Sequence, residues 1–204
     1  MKRFAFTMLE LVFVIIIIGI LAVLAMPNFT TNPLQNATDQ VASHIRYTQH
    51  LAMVDDIYNP SQVHWYYARP QISFRSCGAT GGTYYYIGKD EDLSGPSNIA
   101  ADEAAIDPLS GKKMYWLNGE CDPATYPDRD PNLLLTNKFN VTATSNCGST
   151  ISFDNLGRPY DTFDSNIPTA GLLTSDCNIT LTHNDGTSVI TIHPETGYVS
   201  VSYN

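Results

Sequence analysis

Between Leu11 and Met26 the chain is apolar at 15 of 16 positions, with Gly19 the exception. This run predicts a helix. Phe6 to Met26 is 21 residues, close to the ~20 that a rise of 1.5 Å per residue needs to cross ~30 Å of hydrocarbon. Beyond it the pattern becomes mixed. Leu34, Ala37, Val41, Ile45, Thr48 and Ala52 recur at spacings of 3 and 4, one mildly apolar stripe of an amphipathic helix. Pro27 and Pro33 punctuate the pattern, and Asn59-Pro60 ends it. Unbroken from Phe6 to Tyr58, such a stalk is about 80 Å long.

From Gln62 onward the period falls towards two. The predicted strands are Gln62–Tyr67, Gln71–Ser76, Thr83–Ile87, Lys113–Leu117, Leu133–Thr144 and Thr150–Asp154. A meander follows over Asn178–His183, Thr187–His193 and Tyr198–Tyr203, with turns at Asn184-Asp185-Gly186 and Glu195-Thr196-Gly197. Ile179, Leu181, Val189, Val199 and Val201 alternate with polar residues, as in a sheet with one packed face and one wet face. The expected fold class is α+β: a long N-terminal helix, half transmembrane and half amphipathic, packed on an antiparallel β-sheet head.

Composition sharpens the division. The chain is 43% hydrophobic and 15% charged, but these averages hide a split. Residues 28–204 hold 9 of the 11 Lys+Arg and 19 of the 20 Asp+Glu, a formal charge of −10. This excludes a polytopic membrane protein and a collagen-like or charge-driven disordered chain. It also argues against general nucleic-acid binding, which needs clustered basic charge.

Lys2 and Arg3 precede the apolar run, and nothing basic follows until Arg46. The positive-inside rule then predicts a single-pass protein with its N-terminus in the cytoplasm and the remainder across the membrane. An ordinary signal peptide cleaved after Val23-Leu24-Ala25 and a simple anchor compete as readings. Glu10 suits neither, since a carboxylate among apolar residues costs about 2.5–3.5 kcal/mol on insertion scales.

Lys-Arg-Phe-Ala, then Phe-Thr-x-x-Glu-Leu and a long apolar stretch ending in Pro, resembles the processing signal of type IV prepilins and type II secretion pseudopilins. The resemblance implies residues 1–5 as a leader, cleavage between Ala5 and Phe6 by a prepilin peptidase, and N-methylation at Phe6. Family members usually carry Gly before the cut, where this chain has Ala5. Glu10 becomes the fifth residue of the mature chain and an assembly residue, neutralising the Phe6 amine of a neighbouring subunit or of its own chain. The resemblance implies domains 6–26 (transmembrane), 27–58 (amphipathic helix) and 59–204 (head, with a variable insertion at about 88–132). It implies a single-pass placement in a bacterial inner membrane with a periplasmic head, and its implied partners are other pilins or pseudopilins in a filament, the peptidase, an inner-membrane assembly platform and the membrane. Two stretches, Ile151 to Pro159 with Gly157-Arg158 and Val189 to Val199 with Gly197-Tyr198-Val199, look like those of minor pseudopilin H and related minor pilins. Both glycines also read as turn formers.

Cys77, Cys121, Cys147 and Cys177 contain no C-x-x-C, so zinc-ribbon and thioredoxin-like motifs are unsupported. Three pairings are possible. Cys77–Cys121, closing the variable middle, and Cys147–Cys177, tying the strand before Gly157 to the meander, are favoured. The insertion carries Asp90, Asp92, Asp128 and Asp130 as calcium candidates, against the alternative of a solvated loop; EF-hand spacing is absent. Tyr84, Tyr85, Tyr86, Tyr115 and Trp116 offer partner contacts, with a core role expected for about half of them. No G-x-S-x-G, H-E-x-x-H, P-loop or dinucleotide fingerprint occurs, so no enzymatic activity and no cofactor are expected. Three functions remain in view: a structural minor subunit of a pseudopilus or pilus, an adhesive or DNA-capturing minor pilin, and an exported β-domain behind an ordinary signal peptide.

Overall fold

The computed structural model describes residues 7–25, 32–78, 82–95, 98–163 and 167–204, with side chains up to Leu21 in the first of these stretches. The chain forms two compact units, Met1–Thr31 and Asn32–Asn204.

In the first unit, helix α1 spans Met8–Ala25. In the second, helix α2 spans Pro33–Val54. The expected single long helix is therefore corrected. Asn32 is extended, and its side chain accepts a hydrogen bond from the Gln35 amide at 3.1 Å. Pro33 follows within the first turn, where its missing donor costs nothing. Asn-Pro thus begins a new helix with its own cap and does not continue an old one. Among the described residues no helix is long and apolar enough to cross a membrane. α1 has 18 residues, about 27 Å, and its apolar run after Glu10 is shorter still. The expected single-pass inner-membrane placement and transmembrane helix are corrected with it.

The second unit contains two four-stranded antiparallel sheets where the sequence suggested one head sheet. The first has the order β2-β1-β4-β5, with β1 Gln71–Cys77, β2 Gly82–Gly88, β4 Thr150–Phe153 and β5 Pro159–Tyr160. The second has the order β3-β6-β7-β8, with β3 Thr142–Ser145, β6 Cys177–His183, β7 Gly186–Ile192 and β8 Val199–Tyr203. The meander forms, with His183 opposite Gly186 and Ile192 opposite Val199, so the first turn is Asn184-Asp185 alone and Gly186 begins β7. Gln62–Tyr67 is not a strand: its end enters a short 3-10 helix at Trp65–Ala68. Leu133–Thr144 is divided among a 3-10 turn, the one-turn helix α3 Leu135–Phe139 and β3. Lys113–Leu117 makes only isolated bridges, yet Met114, Tyr115 and Trp116 are buried.

α2 packs against β6, β7 and β8 of one sheet and β1 and β4 of the other. All six stripe residues are buried, together with Thr38 and Ala42. Thr38 is accommodated because its hydroxyl bonds the Leu34 carbonyl and the Ser188 hydroxyl, both at 2.6 Å. The disulfides are Cys77–Cys121 and Cys147–Cys177, with Cα separations of 6.3 and 5.3 Å. The second ties the start of β6 to the turn after β3. Tyr84, Tyr85, Tyr86, Tyr115 and Trp116 are all buried, so the expectation that about half would face partners is corrected.

Candidate functional site

α1 begins at a cap. The Thr7 hydroxyl accepts from the Glu10 amide at 3.3 Å, and the Thr7 carbonyl accepts from the Glu10 and Leu11 amides. Glu10 lies in the first turn, three residues beyond the capping threonine, where a carboxylate complements the positive end of the helix dipole. Phe-Thr-x-x-Glu is thus also a helix-start signal. Every described side chain from Thr7 to Leu21 is exposed, including Phe13, Ile15 and Ile18. A helix apolar on every side is stable in water only when something covers it. Ala5 and Phe6, the expected cleavage and methylation positions, lie outside the described residues.

Of the four calcium candidates, Asp90 and Asp92 come together and Glu103 joins them, their carboxylate oxygens within 4.8 Å of one another. Asp128 and Asp130 are placed elsewhere. Asp128 faces Lys113 at 3.6 Å, and Asp130 caps the 3-10 turn by accepting from the Asn132 amide. The three clustered carboxylates are engaged by backbone amides: Asp90 by Ser94 and Gly95, Asp92 by Ser94, and Glu103 by Glu91, Asp92 and Ala100. Burial and the neighbouring Asp92 push the Asp90 carboxyl up, whereas hydrogen bonds from Ser94 hold Asp92 down. This arrangement organises a loop. Glu103 had no sequence signal, being 11 residues from Asp92 with irregular chain between.

The same loop walls a groove on this unit, about 380 Å³ in volume. Its floor is the last turns of α2, with Tyr47, Leu51 and Val54; its wall is Asp102–Ile106. The wall is pinned to β2 by Gly88, where a methyl would meet the Glu103 carbonyl oxygen and Ile99, both at 2.7 Å. The Ala105 amide bonds the Ile87 carbonyl at 2.9 Å, and the Tyr47 hydroxyl bonds the Ile106 carbonyl at 3.0 Å. At the rim Lys89 pairs with Asp55 at 2.8 Å and Glu91 at 3.2 Å. Burial lowers the Lys89 ammonium, but these two carboxylates outweigh it and hold the group above its usual value.

Gly157 and Gly197, far apart in sequence, meet at the end of α2. Both have positive φ, +77° and +64°. The Gln49 side-chain amide donates to the Gly157 carbonyl at 2.9 Å and the Thr196 carbonyl at 3.1 Å, joining the two turns to the helix. Only its place beside the buried stripe hinted at Gln49.

One constellation has the composition of a nucleophilic triad. His193 Nδ1 lies 3.0 Å from Asp176 Oδ1, and its Nε2 lies 3.1 Å from Ser200 Oγ. His183 sits at the opposite end of the β6–β7 hairpin, beside Asp185. The trio stands on the outer face of the β7–β8 pair, with His193 and Asp176 side chains 37% and 50% exposed. Acyl transfer depends on oxyanion donors in a water-excluded site, and exposure at this level screens the interactions that would activate Ser200. Tyr198 stacking on His193 at 5.7 Å fits a polar cross-strand cluster.

Comparison with family models, with curated proteins and with solved structures finds no match to this chain.

Proposed function

We propose that the chain is a structural subunit of a filament of the type IV pilus or type II secretion pseudopilus kind, assembled through α1. The observation that carries this reading is the N-terminal segment itself. An apolar helix, exposed along its described length, holds a single carboxylate in its first turn, directly after the Phe-Thr of a prepilin-like signal. α1 helices of neighbouring subunits would cover one another's apolar sides, and Glu10 would meet the free Phe6 amine of a trimmed neighbour. A buried pair of that kind sets register more than it adds stability. The reading rests on this segment and not on a continuous stalk.

The test is intact-mass analysis of the chain co-expressed with a prepilin peptidase. The expected product begins at Phe6 and carries one added methyl. A product beginning at Met26 makes the first 25 residues an ordinary signal peptide and removes this proposal, as does a chain that the peptidase leaves whole.

A further inference from the structure

We infer that the groove between the end of α2 and the 102–106 segment is a docking slot for a partner polypeptide that presents a basic side chain beside a large apolar one. This goes beyond the filament reading and does not depend on it. Three features of the slot point to that chemistry.

The floor is apolar and accessible. Val54 and Ile106, 66% and 48% exposed, line the slot together with Leu51 and Tyr47. At about 380 Å³ the space is within the range of small binding clefts and accepts an aromatic or leucine side chain.

The rim is acidic. Asp55, Glu91, Asp102 and Glu103 stand against Lys89 alone, a net of −3. Glu103 is occupied by three backbone amides, and Asp55 by Lys89. Asp102 is exposed, and Glu91 stays 60% exposed although it pairs with Lys89 at 3.2 Å, so these two are the groups that meet an incoming cation. The same charge argues against a second copy of this unit as occupant, because residues 28–204 carry −10 and two such acidic surfaces repel.

The slot is also built before anything enters it. Gly88 admits the wall at a distance no side chain would allow, the Glu103 carboxylate holds the amides of Glu91, Asp92 and Ala100, and Tyr47 bonds the Ile106 carbonyl. A preformed wall lowers the ordering entropy lost on binding.

The test uses the full chain in a neutral detergent and three short peptides, KLKFK, KSKSK and ELEFE, titrated by calorimetry at low and at 0.3 M salt. KLKFK is expected to bind, more weakly at the higher salt, and at least tenfold more tightly than the other two. The double variant Val54→Asn with Ile106→Asn alters two exposed positions and no charge, and is expected to weaken KLKFK about tenfold. Glu91→Gln with Asp102→Asn is expected to weaken it and to flatten its salt dependence. Equal binding of KSKSK makes the contact charge alone, and equal binding of ELEFE makes it apolar contact alone; either overturns the inference. Undiminished KLKFK binding to the Val54/Ile106 variant overturns it too, because the peptide then sits elsewhere.

Discussion

The junction of Gly157, Gly197 and Gln49 makes a quantitative prediction. In Gly197→Ala the new methyl overlaps the Gly157 carbonyl oxygen and lies 2.5 Å from Gln49 Nε2, on a residue with φ of +64°. The left-handed conformation alone costs an alanine about 1–2 kcal/mol. Gln49 must also swing away, giving up two hydrogen bonds worth roughly 0.5–1.5 kcal/mol each. The sum is roughly 2–5 kcal/mol, a large fraction of the ~5–15 kcal/mol typical of a domain. Gly119→Ala is the control, since Gly119 has φ of +86° but nothing within 4 Å of the added methyl. It should therefore show the conformational penalty without the clash. Urea unfolding under non-reducing conditions, followed by the fluorescence of the fully buried Trp116, measures both variants. Gln49→Ala combined with Gly197→Ala should lose less than the two single variants together, because the side chain that clashes is gone. If Gly197→Ala is no more destabilising than Gly119→Ala, the junction is not a structural lock and the argument fails.

Gln71 is fully buried, and among the described residues neither its amide nitrogen nor its amide oxygen has a hydrogen-bond partner. Gln71→Met removes that unmet polarity at similar volume and should raise stability by about 1 kcal/mol or more; a loss of that size in urea unfolding would contradict it. Burial holds the His44 imidazole below its usual value although Asp107 and Asp130 pull it partly back, with the Tyr85 hydroxyl 2.7 Å from Nδ1. The unfolded chain therefore binds the extra proton first, and stability should begin to fall as pH drops below about 6.5. His44→Gln should flatten that limb in urea titrations between pH 8 and 5. Burial raises the Asp154 carboxyl, but hydrogen bonds from Arg158 and from the Leu156 amide outweigh it and leave the group low. Its contribution is complete above about pH 4 and is lost as pH falls through the folded value, so Asp154→Asn should lower stability at pH 7 and do so progressively less as the pH falls below about 4. Removing the second disulfide by Cys147→Ala with Cys177→Ala should cost about 3–4 kcal/mol for a loop closed across 30 residues, read as a lower urea midpoint.

Local pattern was a reliable guide wherever one face of an element is buried and the other is wet. The α2 stripe from Leu34 to Ala52 and the β6–β7–β8 meander are of this kind; the meander strands lie within a residue of their expected bounds, whereas α2 ends at Val54, short of the expected stop at Asn59-Pro60. The pattern misled where the chain is buried without period. Lys113–Leu117 has the composition of a strand but pairs only at isolated bridges, because Trp116 fills the core and donates to the Asp130 carbonyl at 2.7 Å. Leu133–Thr144 is broken by Asn140 in the left-handed conformation, which caps α3 before β3 begins. The N-terminal helix is shorter than the apolar and amphipathic patterns predict, because Asn32-Pro33 caps the start of a second helix.

The sequence by itself determined the apolar N-terminal helix with its one carboxylate, the buried face of α2, the meander and the acidity of everything after residue 27. These depend on contacts three or four residues apart, or on composition, and both are local. Only the tertiary structure decided which distant residues meet. It placed Glu103 with Asp90 and Asp92, brought Gln49 between two turns, set His193 between Asp176 and Ser200, and closed the groove beside α2. Each of these joins segments separated by loops that carry no periodicity, so their positions follow from how two sheets pack around one helix.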